Sequence, residues 1–201
     1  FQMHAAYIAA GCDLSFGYKG KGDKELLQNL STVYGYRTEI IPKVTEGERE
    51  ISSSYVREEV ETGNMETAQR LLGRAYSVTG TVEEGRKLGR RIGMPTLNLY
   101  PRGDKLLPPY GVYFTRVLFE ENIYRGITNI GKKPTVNQTD AVSVETYLYD
   151  FKENVYGREI TVELLHFKRP EYKFAGIDEL KKQMEEDIAA GRHYHEEHAL
   201  Y

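Results

Sequence analysis

Apolar and polar positions change rhythm near Ala75, and that change divides the chain. Before it, Ala5-Ala6-Tyr7-Ile8-Ala9-Ala10 is an apolar run ending at Gly11, the pattern of a short buried strand. Leu26, Leu27 and Leu30 form a helical stripe that predicts a helix through Tyr34, capped by Asp23. Thr38-Glu39-Ile40-Ile41 follows as a strand, and strand, helix, strand in alternation predict a parallel, doubly wound piece too short to be complete. Ser52, Ser53 and Ser54 open a helix expected to reach Glu61, and Gly63-Asn64 separate it from another over Met65 to Leu72.

After Ala75 come Tyr76–Thr81, Gly111–Leu118, Asn122–Ile130, Val142–Phe151 and Glu159–Phe167, β-branched or aromatic runs joined by short turns, with Glu120-Glu121-Asn122 as a tight hairpin connection. Strands at this density without intervening helices predict an antiparallel sandwich or barrel, and closure of a barrel removes adhesive edges. Alternation puts Val142, Val144, Thr146 and Leu148 on one face and Ser143, Glu145, Tyr147 and Tyr149 on the other. Ile177, Leu180, Met184 and Ile188 predict a last helix, with Gly191 as its stop. Glu185-Glu186-Asp187 reads as a solvated face. His193, His195 and His198 read as a mobile tail, since two residues between His195 and His198 do not make the H-E-x-x-H spacing of a zinc site.

Composition narrows the picture. At 201 residues the chain holds one or two domains, and 40% hydrophobic residues suffice for a core. A net charge of -3 argues against a general nucleic-acid binder. A single cysteine, Cys12, excludes an internal disulfide and fits a reducing compartment. With neither a membrane-length apolar run nor a signal-peptide pattern, the cytoplasm is the expected location and no membrane partner is expected. Phe1-Gln2-Met3-His4 offers neither turn nor cap, so the chain is expected to be a piece of a longer protein. An exposed half-sheet in its first part would be a surface for self-association.

The candidate chemistry centres on Gly80 to Asn98. Gly80, Gly85, Gly89 and Gly93 are interleaved with Arg86, Lys87, Arg90 and Arg91, and Met94-Pro95-Thr96-Leu97-Asn98 follows. Glycines let backbone amides close on an anion, and basic side chains add charge-assisted bonds to phosphate. In an extended segment Thr96 and Asn98 share a face, and a hydroxyl with an amide oxygen suits Mg2+. The same residues read equally well as a basic, solvated loop ending in a Pro-Thr turn. Gly126-Ile127-Thr128-Asn129-Ile130-Gly131-Lys132-Lys133 nearly matches a Walker pattern. It lacks the terminal hydroxyl, falls in an expected strand and precedes no helix, so it is not a P-loop.

Gly89-Arg90-Arg91-Ile92-Gly93-Met94-Pro95-Thr96-Leu97-Asn98 resembles the G-x-x-x-G-x-P-T-x-N signature of riboflavin kinases. Thr128-Asn129-Ile130-Gly131-x-x-Pro134-Thr135 is similar to the family's N-I-G-x-x-P-T loop, Val144-Glu145-Thr146 to its V-E-T-H segment with Tyr147 in place of His, and Tyr156-Gly157 to its Y-G turn. Phe167-Lys168-Arg169-Pro170-Glu171-x-x-Phe174 resembles the segment that approaches the flavin. The resemblance implies a small six-stranded antiparallel barrel with a C-terminal helix over residues 68–201, and transfer of the ATP γ-phosphate to riboflavin to give FMN and ADP. It implies Glu145 as base, Mg2+ at Thr96 and Asn98, nucleotide at Gly80, Gly85, Lys87, Gly89, Arg90, Thr96, Asn98 and Asn129, and flavin at Gly131, Pro134, Thr135, Arg169 and Phe174. Ahead of the barrel, Gly11-Cys12-Asp13-Leu14-Ser15-Phe16-Gly17 and Ile51-Ser52-Ser53-Ser54-x-x-Arg57 resemble the back half of the FMN adenylyltransferase domain of bacterial bifunctional flavin enzymes. That implies an α/β nucleotidyltransferase remnant over residues 1–67, with Ser52, Ser53, Ser54 and Arg57 as its phosphate site. Cys12, Leu14 and Ser54 depart from that family, and its His-x-Gly-His is missing, His4 standing alone; FAD formation is therefore not expected of this chain. The overall class is α+β; the alternatives are adenylyl transfer to FMN, present only in a longer parent chain, and a non-catalytic flavin- or nucleotide-binding barrel.

Overall fold

The computed structural model describes residues 5–85, 89, 92–133 and 141–198. They fall into two compact units, Phe1–Ser52 and Ser53–Tyr201. In the first, β1 (Tyr7–Gly11) pairs in parallel with β2 (Arg37–Ile41), Tyr7 against Arg37 through Gly11 against Ile41. The helix between them, α1 (Lys24–Tyr34), starts where Asp23 accepts the Leu26 N–H at 2.9 Å. It stops at Gly35, whose φ of 75° is the left-handed conformation that glycine adopts without strain. A short hairpin, β3 (Thr45–Glu46) and β4 (Arg49–Glu50), completes the unit.

The second unit opens with α2 (Ser53–Thr62) and α3 (Met65–Leu72). Its sheet has six strands: β5 (Tyr76–Thr81), β6 (Leu97–Leu99), β7 (Gly111–Phe119), β8 (Asn122–Lys133), β9 (Ala141–Leu148) and β10 (Glu159–Pro170). They run antiparallel in the order β5-β10-β7-β8-β9-β6. The curled sheet brings its two ends together at one bridge, Glu83 N–H to Asn98 O at 2.9 Å. The inner face is the core: Val78, Leu99, Tyr113, Val117, Ile130, Val144, Val162 and Leu164 are almost fully buried. Val60 and Met65 from α2 and α3 belong to the same cluster, so packing places both helices with the barrel. Within the core, the hydroxyls of Thr115, Thr128 and Thr146 bond one another at 2.9 and 2.8 Å, satisfying polar groups that would otherwise be costly to bury.

The C-terminal helix α4 (Ile177–Glu197) covers part of the outer face. Ile188, Ala190 and Tyr194 pack on Phe114, Ile127 and Tyr149. Gly191 does not end it, contrary to the expectation from sequence: it is buried in mid-helix, and a Cβ there would overlap the Tyr149 hydroxyl and come within 2.8 Å of Ile127. The glycine lets helix and sheet approach, a gain that outweighs its low helix propensity. His195 is likewise no mobile tail. It is 3% exposed, with Nε2 3.3 Å from Gly126 O, and burial lowers its pKa. Nor is Asp187 on a solvated face; it is 2% exposed.

Candidate active site

Register assembles the site. Residues opposite one another in an antiparallel sheet point to the same face. Asn98 on β6 pairs with Glu145 on β9, Glu145 with Asn129 on β8, Asn129 with Val112 on β7, and Val112 with Arg169 on β10. One transverse row thus carries four polar side chains from separate motifs. Two bulges, between Leu164 and His166 and between Phe167 and Arg169, bring Arg169 into this row. Each inserts a residue and reverses the alternation, so plain period-two reading misplaces His166 and Phe167, and the second bulge restores Arg169 to the outer face.

Beside the row lies a cavity of about 290 Å³. Glu145, Asn129, Arg169 and Tyr147 line it from the sheet, Gly89 and Thr96 from the loop before β6, Tyr172 and Phe174 from the segment after β10, and Leu180, Met184 and Asp187 from α4. Gly89 O accepts the N–H groups of Ile92 at 3.1 Å and Met94 at 2.7 Å. A Cβ on Gly89 would overlap the Met94 carbonyl, and Gly93 has a φ of 79°, so both signature glycines serve this turn. A second cavity of about 280 Å³ shares Thr96 and is walled by Pro95, Leu148, Phe151 and Tyr156.

Of the residues singled out in the sequence, Gly89, Thr96, Asn129, Glu145, Arg169 and Phe174 share the first cavity. Asn98 is beside it, 4% exposed, donating Nδ2–H to Thr96 O at 3.3 Å, with Gly85 against its amide. Gly131 is buried under the Glu171 carboxylate, and Gly80 packs on Leu99. Ser53, Ser54 and Arg57 are exposed on the first turns of α2 and do not line the cavity; Ser52 ends the other unit. Lys87, Arg90, Pro134 and Thr135 lie outside the described residues.

Two carboxylates escaped the sequence reading. Asp187 binds Arg169 through both oxygens, with Nη2 to Oδ2 at 2.6 Å and Nε at 3.2 Å from each, and Gln183 donates to its Oδ1 at 3.1 Å. Asp187 follows Leu180 and Met184 on the same helical stripe, which was the available signal. Glu171 accepts from Asn129 Nδ2 at 3.0 Å. The Arg169 guanidinium also lies 4.4 Å from the Tyr172 ring, which in turn meets Phe174 at 4.8 Å. Burial raises the pKa of Tyr149, whose hydroxyl has no hydrogen-bond partner among the described residues.

The riboflavin kinase sequence profile matches residues 72–195. The chain belongs to the riboflavin kinase family. An FAD synthetase profile matches residues 1–55. The bifunctional riboflavin kinase/FMN adenylyltransferase of Bacillus subtilis is 38% identical over 92% of this chain and 59% of its own length. That of Haemophilus influenzae is 35% identical over 94% of this chain and 61% of its own. The chain therefore spans about three-fifths of these relatives. A crystal structure described as a macrolide-efflux protein from Streptococcus pneumoniae superposes with a TM-score of 0.83 at 33% identity, covering 94% of this chain and 61% of that one. Among the described residues, no helix is long and apolar enough to cross a membrane. The riboflavin kinase profile spans the whole transverse row, from Asn98 to Arg169.

Proposed function

We propose that this chain transfers the γ-phosphate of ATP to the terminal ribityl hydroxyl of riboflavin, giving FMN and ADP. The observation that carries the reading is the shared cavity, with Glu145 and Asn129 in the middle of the row and Arg169 at one end. From β9 to β10 is three strand spacings, about 14 Å along the sheet. That separation suits a ligand with a reacting alcohol at one end and a flat ring at the other. The apolar wall formed by Val112, Ile127, Phe174, Leu180 and Met184 supports placing the isoalloxazine toward Arg169.

In this mechanism Glu145 accepts the proton of the ribityl hydroxyl, the oxygen bonds to the γ-phosphorus, and the bond to the β,γ-bridging oxygen breaks as ADP leaves. Asn129 orients the alcohol or the γ-phosphate next to Glu145. The backbone turn at Gly89, with Gly80, Gly85, Lys87 and Arg90, holds the polyphosphate, and the cavity bounded by Phe151 and Tyr156 receives the base. Gly131, Pro134 and Thr135 are assigned to flavin binding. Thr96 and Asn98 supply oxygen donors, and among the described residues no cluster of three or more His, Cys, Asp or Glu side chains exists to hold a cation alone. This fits Mg2+, which keeps waters and is held by few protein groups together with phosphates. Bound there, Mg2+ would offset the charge developing on the transferred phosphoryl group.

We further assign residues 1–67 by descent to an adenylyltransferase domain, with Ser52, Ser53, Ser54 and Arg57 as its former phosphate site, and place the protein in the cytoplasm. The FAD synthetase match over residues 1–55 favours adenylyl transfer as a second reading for a longer protein. One assay separates the readings: incubation with riboflavin and Mg-ATP followed by chromatography of the flavins. FMN without FAD is expected. No FMN would overturn the kinase assignment, and FAD would overturn the silence of the first part.

A further inference from the structure

We propose that Asp187 is a positioning residue that holds Arg169 as a charge-compensated planar donor and thereby tunes this end of the cavity to a neutral flat ring rather than an anion. The inference rests on the riboflavin reading and deepens it. An arginine lining a cavity attracts phosphate when its charge is uncompensated. Here the guanidinium gives Nε–H and one Nη2–H to Asp187, and one Nη1–H to Pro170 O at 3.0 Å. Asp187 is 2% exposed, so the pair is shielded from the solvent that would otherwise weaken it. Gln183, one helical turn earlier, donates to the remaining side of the carboxylate. Of five guanidinium donors, three are thus committed and two are left for a bound molecule. Two fixed donors in one plane match the carbonyl edge of a heterocycle, and the Tyr172 ring at 4.4 Å fixes that plane. Arg169 lies against Tyr172, and Tyr172 against Phe174, so Asp187 also bears on the wall after β10.

The test compares riboflavin with FMN, which differ by a phosphate, by titrating each against the whole chain and following flavin fluorescence. Asp187→Asn leaves the guanidinium charge uncompensated. A unit charge about 14 Å from the phosphate, the separation of Arg169 from Glu145 across three strands, is worth about sevenfold at an effective dielectric constant near 20. The ratio of FMN affinity to riboflavin affinity is therefore expected to rise about sevenfold, and the gain is expected to shrink as salt is added. A merely structural role would weaken both ligands alike and leave the ratio in place. Gln183→Lys serves where Asp187→Asn does not fold: it offers Asp187 a second cation at i,i+4 and loosens the hold on Arg169 without leaving a bare buried charge. A rise of about threefold is expected from it, as half the logarithmic effect on the same scale. An unchanged ratio in the folded variants overturns the inference while riboflavin binding to the parent chain keeps the kinase reading. No flavin binding by the parent chain overturns both.

Discussion

The two compact units spend their apolar residues differently. In Ser53–Tyr201, Val60, Met65, Tyr113, Ile130, Val144 and Leu164 are fully buried around one curled sheet. In Phe1–Ser52, Leu27 is the sole buried hydrophobic side chain among the described residues, while Tyr18, Val33, Tyr34 and Val44 are two-thirds or more exposed. Both have hydrogen-bonded elements and a well-made cap or ladder. The contrast teaches that secondary structure alone does not make a core: four short strands and a helix form in the first unit, yet they bury one hydrophobic side chain among the described residues. Stability and chemistry are therefore expected to reside together in the second unit.

The sharpest way to break that contrast is through catalysis. Glu145→Gln is expected to lower kcat by about 10²–10⁴, the usual worth of a general base. Lys43→Ala, which removes an exposed pair with Glu50 in the first unit, is expected to leave kcat within about twofold, as surface ion pairs contribute little. Steady-state FMN formation measures both, and comparable losses would undo the division of labour. Stability comes next. Leu164→Ala, at a fully buried position, should cost about 2–5 kcal/mol in denaturant unfolding. Val44→Ala, 67% exposed, should stay within about 0.5 kcal/mol. The smallest effect is acid sensitivity at His195. Burial lowers its folded pKa below the ordinary 6.5, so the unfolded chain binds the proton first. Its contribution is complete above pH 6.5 and is lost as pH falls from there through the folded pKa. Urea midpoints taken from pH 8 to 5 should fall, and His195→Gln should flatten the slope below pH 6.5.

Much of this was legible in the chain because the signals were local. Met65–Leu72 and Tyr76–Thr81 follow their expected limits to the residue, set by Gly63-Asn64, Gly73 and dense β-branched composition. Asp23 caps as a side-chain acceptor must, and the strand-helix-strand alternation gave a parallel pair. Glu145 stood out as the carboxylate on an aromatic face, and it does line a cavity. What stayed hidden depends on partners far away in sequence. Asp187 looks solvated until Arg169, 18 residues back, supplies its counter-charge. Gly191 looks like a stop until Tyr149 arrives from another strand. The bulges in β10 leave no mark on composition, since any residue can be the extra one, yet they decide where His166, Phe167 and Arg169 point. Glu171 lies just past the end of β10 and acquires meaning only through Asn129 and Gly131.

The transverse row has a consequence for the order of assembly. Its members come from five strands, from Asn98 near the start of the sheet to Arg169 at the end of β10, and only the pairings between the consecutive strands β7–β8 and β8–β9 are local. Closing the intervening loops precedes any reward from the long-range ladders, so folding is slow for such a topology. A ribosome must therefore release nearly the whole barrel before the acid, the amide and the guanidinium first meet. On the kinase reading, a nascent chain shortened before β10 would hold Glu145 and Asn129 without Arg169, and so would lack the complete row.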